Sequence, residues 1–182
     1  MDKQPIDLAA VWADAITFDS FLRGSVEHKG LWEGIYRLAR IPDWVPNSVT
    51  GNNQRRLLVI AEDWCGDASS TIPVLAKWVA QTPSLELRII KRDEHPAVMD
   101  QYLTNGARSI PIVIVLDEMN HELGHWGPRP TELQAWVQAN RDLSQEERYP
   151  EVRRWYARDR GVSTLCEIAA VAGLAEAVPA CP

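Results

Sequence analysis

The chain has 182 residues, 46% of them hydrophobic, enough to bury a full core in one domain with extensions. Its formal net charge of −6 argues against a general electrostatic attraction to nucleic acid or to an anionic membrane. No segment approaches the roughly 20 apolar residues of a membrane span, and Met1-Asp2-Lys3-Gln4-Pro5 lacks the start of a secretory leader, so a soluble cytoplasmic protein is expected. Three widely spaced cysteines, Cys65, Cys166 and Cys181, fit a reduced compartment better than a disulfide-stapled domain.

Residues 6 to 40 repeat apolar side chains at three- and four-residue steps: Leu8, Val11 and Trp12, then Phe18, Phe21 and Leu22, then Leu31, Ile35 and Leu38. This predicts helix, divided into two pieces by Gly24 and Gly30. From Ile41-Pro42 through Asn53 the periodicity stops, and prolines, asparagines and a glycine mark a connector. Residues 1–50 are therefore expected to form an N-terminal helical extension.

The pattern then alternates. A strand is expected over 57–63, a helix over about 67–81 with Ile72, Leu75, Ala76 and Val79 on one face, a strand over 85–91 and a helix over about 96–104. That order implies a parallel strand pair and right-handed crossovers. The first strand runs straight into Glu62-Asp63-Trp64-Cys65-Gly66-Asp67, which sets one thiol where strand becomes helix. Unpaired N–H groups and partial positive charge at a helix start favour the thiolate, the reactive form. Glu62, Asp63 and Asp67 oppose it, so a mild activation of Cys65 is expected. The bland alternative for Cys65 is a small buried residue filling the junction. Asp67 is either a first-turn carboxylate stabilised by the helix dipole or a proton acceptor for Cys65.

The β-branched run Ile110 to Leu116 predicts a strand, followed by a turn at 118–121 and a second strand ending near Trp126. Within it, His121-Glu122-Leu123-Gly124-His125 fits the H-E-x-x-H pattern of zinc peptidases. That chemistry needs a helix, because on a strand the two histidines stand about 13 Å apart. Gly124, Gly127 and Pro128 make a helix here poor, so no metal site is expected and the peptidase remains a remote alternative.

Thr131 with Gln134, Ser144 with Glu147 and Thr164 with Glu167 offer capping boxes for three later helices, the first carrying Leu133, Trp136 and Val137 as its buried stripe. Pro150 is expected between the last two helices or at the start of the first of them. Arg153, Arg154, Arg158 and Arg160, interleaved with Glu151, Trp155 and Asp159, read as a solvated helix face.

The succession of strand, Trp64-Cys65-Gly66, helix, strand, helix, Ser109-Ile110-Pro111, hairpin and helix resembles the thioredoxin family over about residues 50 to 142. It looks most like a branch carrying Trp-Cys-Gly-Asp and a Trp-Gly-Pro-Arg-Pro segment, here Trp126 to Pro130. The resemblance implies an α/β fold: a thioredoxin-like mixed sheet flanked by helices over 51–142, with helical extensions at 1–50 and 143–182. It also implies a cis Ile110-Pro111 bond whose loop lies against Cys65 and offers backbone atoms to an extended peptide, with Trp64 and Gly66 completing the groove. Two positions depart from the family pattern. Ala68 stands where Cys-x-x-Cys proteins have their second thiol, and Val59 stands where thioredoxins bury an acid.

The expected function is single-thiol redox chemistry through Cys65, with Asp67 as the second candidate catalytic residue. Mixed disulfides would form with a protein or a low-molecular-weight thiol and be resolved by an external thiol, without a cofactor. The alternative is a noncatalytic binding module that keeps the fold and its groove. Cys166 and Cys181 are either incidental or distant resolving thiols. Glutaredoxin-like iron–sulfur delivery would also use one thiol here, but no recognisable glutathione-binding set accompanies it.

Overall fold

In the structure, a computed structural model that describes residues 6–45 and 54–174, the Asp7 carboxylate caps α1 (Leu8–Asp14) by accepting the N–H groups of Ala9 and Ala10. The β-branched pair Ile16–Thr17 follows as a short strand, β1, and the Thr17 hydroxyl caps α2 (Phe18–Gly24) before α3 (Lys29–Leu38). The expected pair of helical pieces is therefore three helices and a strand. Gly24 does end α2, but Gly30 lies within the first turn of α3, where the backbone N–H groups have no intrahelical partner to lose.

The remaining elements are β2 (Arg55–Ala61), α4 (Gly66–Gln81), β3 (Leu85–Lys91), α5 (Pro96–Met99), β4 (Ile112–Leu116), β5 (Glu122–Trp126), α6 (Thr131–Ala139), α7 (Gln145–Asp159) and α8 (Val162–Val171). They build one mixed sheet of five strands in the order β1-β3-β2-β4-β5. β2 runs parallel to β3, with Val59 opposite Ile89, and antiparallel to β4, with Val59 opposite Val113. β1 adds an antiparallel edge beside β3, with Ile16 opposite Ile89, and β5 forms the other edge beside β4. The α/β architecture expected from the alternating pattern is the one observed.

Leu57 through Ala61 on the central strand are fully buried, so both sheet faces are covered, which is why β2 reads as a continuous apolar run. The helix expected over 96–104 is a single turn, because Asn105 and Gly106 take positive φ in a turn that bridges Thr104 and Ala107. Flanking helices bury large side chains too: Phe21 and Trp32 from the N-terminal segment, Leu165 and Ile168 from α8, which packs on β5 and α4.

Of the three expected capping boxes, the one at Ser144 and Glu147 forms at the start of α7. The other two do not, because their acceptors serve other groups. Gln134 accepts from Arg129, and Glu167 accepts from the Trp126 indole and the Thr131 N–H, while α6 and α8 start at Pro130 and Gly161 without side-chain caps. Pro150 lies inside α7 rather than between helices. Among the described residues no helix is long and apolar enough to cross a membrane.

Candidate functional site

Cys65 is the N-cap of α4. Its sulfur accepts the Ala68 N–H at 3.5 Å, and its thiol donates to the Ile110 carbonyl, also at 3.5 Å. The Ile110–Pro111 peptide bond is cis, and both residues are buried where β4 begins. Cys65 itself is 8% exposed, and burial pushes its thiol up to about 11; the Ala68 N–H works against that rise, the Asp67 charge adds to it and Arg129 opposes it.

The expected mild activation is thus overturned. The helix start does supply backbone N–H groups to the sulfur, from Ala68 and Asp67, but loss of water around a charge outweighs them. The flanking carboxylates are also employed elsewhere. Asp63 accepts the N–H groups of Val26 and Glu27 at 2.7 and 3.0 Å, pinning the α2–α3 loop to the cysteine loop. Glu62 accepts the Asp93 N–H at 2.9 Å, and burial raises its carboxyl above the ordinary value.

Asp67, in the first turn of α4, faces a half-buried cation. Its carboxylate takes both Nε and Nη2 of Arg129, at 3.0 and 2.6 Å, and the Tyr156 hydroxyl at 2.9 Å. The remaining Arg129 nitrogen, Nη1, donates to Gln134 at 3.1 Å. Burial works against the Arg129 charge, yet the adjacent Asp67 carboxylate wins and raises its pKa. Burial, then Asp67, holds the Tyr156 phenol well above its usual value. The Asp67 backbone N–H supports the Cys65 sulfur, but the carboxylate is spent on Arg129 and Tyr156, so its side-chain contacts are those of an ion-pair partner.

At the mouth, Trp64 is 42% exposed, with the Arg92 guanidinium 4.9 Å from its ring centre. Gly66 opens α4 with free space where a Cβ would project. Trp64, Cys65, Gly66, Ile110 and Pro111 therefore gather at one junction. Arg129 and Tyr156 went unassigned in the sequence, where Gln134 reads only as a local helix cap. Arg129 lies within the distinctive Trp126–Pro130 segment, whereas Tyr156 is the buried member of a helix whose Arg153, Arg154, Arg158 and Arg160 are exposed, as a solvated face requires.

The H-E-x-x-H segment lies on and just before β5, in extended conformation. His121 meets Asp117, while His125 and the Tyr102 hydroxyl both meet Glu122, so its side chains are partnered in separate places. Among the described residues no three His, Cys, Asp or Glu side chains are grouped to hold a metal. Cys166 is fully buried in α8 and is not a free thiol, which removes its reading as a resolving thiol; Cys181 lies outside the described residues.

A family model described as thioredoxin matches residues 15–147. Two solved structures share the fold. One is a protein of unknown function from Pseudomonas aeruginosa, at 20% identity and a TM-score of 0.69, covering 94% of this chain and 98% of that one. The other is an HIV epitope-scaffold, at 21% identity and a TM-score of 0.71, covering 96% and 100%. No curated protein matches the chain.

Proposed function

Because the chain belongs to the thioredoxin family, we propose that it exchanges disulfides through one thiol, Cys65. The observation that supports this reading is the meeting of the Cys65 sulfur, at the start of α4, with the Ile110 carbonyl directly before cis Pro111. Cys65 loses its proton to solvent and attacks one sulfur of a partner disulfide. The partner's S–S bond breaks, a Cys65–partner disulfide forms and the other sulfur departs as a thiolate. Ala68 offers no second thiol, so an external thiolate attacks the partner's sulfur and releases Cys65. Trp64 and Gly66 border the approach to the sulfur. The exchange needs no cofactor, and a cytoplasmic pool of small thiols would supply the resolving group.

A thiol whose pKa is near 11 is thiolate in only about one molecule in ten thousand at pH 7. Reaction is therefore slow until a partner docks. The same high pKa makes Cys65 a strong nucleophile and a poor leaving group, so its mixed disulfides are long-lived and its poise is reducing. The burial of Cys65 favours one other reading, a binding module in which the sulfur only packs. Partner trapping separates the two. Disulfide-linked adducts captured by the unaltered protein and lost in Cys65→Ser support exchange; adducts absent from both, with partners retained equally, support the module.

A further inference from the structure

Thiol–disulfide exchange through Cys65 does not by itself call for the partly buried Asp67–Arg129–Tyr156 cluster, yet several segments converge to build it. Asp67 comes from the first turn of α4, two residues from the cysteine; Arg129 from the β5–α6 loop; Gln134 from α6; Tyr156 from α7. Gly127 presses the loop that carries Arg129 against the entry to β4. At its φ of +126°, a Cβ would stand 2.2 Å from the Pro111 carbonyl oxygen. Residue 110, immediately before, accepts the hydrogen bond from the Cys65 thiol. Arg129 is thus tied to the surroundings of the sulfur twice, through Asp67 and through Pro111.

We propose that Arg129 is the thiolate-stabilising cation of this site, and that Asp67 and Tyr156 are positioning residues that hold its guanidinium in place. The proposal rests on the reading of Cys65 as the reacting group and says which residue supports its charged form. A fixed cation stabilises charge without reorganising when the charge appears. With the sulfur protonated, Asp67 balances the guanidinium; when Cys65 ionises, Arg129 is already there. The other groups nearby are committed: Glu62 and Asp63 to backbone N–H groups, Glu167 of α8 to Trp126 and Thr131, Arg92 to Trp64 and Asp93, and Tyr156 to Asp67 as an un-ionised phenol. Desolvation dominates at the sulfur; the Ala68 and Asp67 N–H groups and the Arg129 charge oppose it, and the Asp67 charge adds to it.

Charge sign gives the test. Iodoacetamide labelling of Cys65, read by peptide mass across pH 7 to 11 on variants verified as folded by circular dichroism, reports the apparent pKa of the thiol. Arg129→Gln removes the cation and leaves the Asp67 charge, so labelling at pH 8 slows about three- to ten-fold and the profile moves to higher pH. Asp67→Asn moves the profile to lower pH and labels faster. Arg129→Lys keeps the charge and stays within about two-fold of the parent, so paired with Asp67→Asn it decides the matter if Arg129→Gln does not fold. Tyr156→Phe, which changes no charge, shifts the profile least.

A purely structural role predicts that loosening the cluster exposes the sulfur, so that Arg129→Gln and Asp67→Asn both accelerate labelling. That result, or unchanged profiles in both, overturns the assignment while leaving Cys65 as the reacting group. If Cys65 of the folded parent fails to label even at pH 11 while the denatured chain labels, the exchange reading falls together with the assignment.

Discussion

Cys65 gives up its proton less readily in the folded chain than in the unfolded one, and the sign of its pH dependence follows. Below about pH 9 both states hold the proton and the residue adds no slope; between 9 and about 11 only the unfolded state releases it, so stability falls as pH rises. The loss through that window is about 2 kcal/mol. Denaturant unfolding at pH 8 and pH 10.5 should show a steeper fall in the parent than in Cys65→Ala, and equal falls would contradict the burial of this thiol. Gly127 sets a second residue-scale limit. Alanine there meets the Pro111 carbonyl oxygen at 2.2 Å at a φ of +126°, so Gly127→Ala should cost about 2 to 4 kcal/mol, measured by thermal or urea unfolding.

Among the elements, α7 and α8 carry the clearest expectations. Ser144 accepts the Glu147 N–H while Glu147 accepts the Ser144 N–H, and losing that reciprocal cap in Ser144→Ala should cost about 1 kcal/mol. Gly161 starts α8 at a φ of +82°, and a Cβ there would meet Val74 of α4 at 2.6 Å, so Gly161→Ala should lower stability by about 1 to 3 kcal/mol and loosen α8 from α4. Faster amide exchange in α8 than in β2 would register that loosening.

These elements also mark where the sequence could be read and where it could not. β2, α4 and β4 announce themselves through apolar runs and a helical stripe, and Trp64-Cys65-Gly66 with Ile110-Pro111 locates the thiol because short motifs sit at the ends of those elements. The charged cluster leaves no such trace, since Asp67 meets Arg129 across 62 residues and Tyr156 across 89. Likewise, Glu167 occupies a position that suits a local cap but hydrogen-bonds to Trp126 across 41 residues, and Gln134 turns from its cap to Arg129 in the preceding loop, choices that tertiary packing makes. The strand β1 was hidden because two residues are too few to show alternation. The thiol's protonation was misjudged for a related reason: burial, which dominates it, is a property of the assembled chain.

For the whole molecule, the sheet and its flanking helices form one connected core, which includes Trp32 of α3 and Leu165 and Ile168 of α8. We propose that the C-terminal helices are integral to the site, because Tyr156 reaches Asp67 from α7 while α8 covers β5 and α4. Leu165→Ala should therefore cost about 2 to 4 kcal/mol, as in a central core position, and a value near zero would mark α8 as dispensable. The departures from Cys-x-x-Cys redox chemistry then agree with each other. With Ala68 in place of a second thiol and Cys65 buried to a pKa near 11, the exchange we propose would hold a partner in a single disulfide until an outside thiol frees it.

Incubation of the native protein with oxidised glutathione, followed by peptide mass analysis, tests that account most directly. It predicts slow addition of one glutathionyl group at Cys65, faster as pH rises toward 11 and reversed by added small thiol. Absence of the adduct from the folded protein at every pH, with its appearance after denaturation, would contradict it.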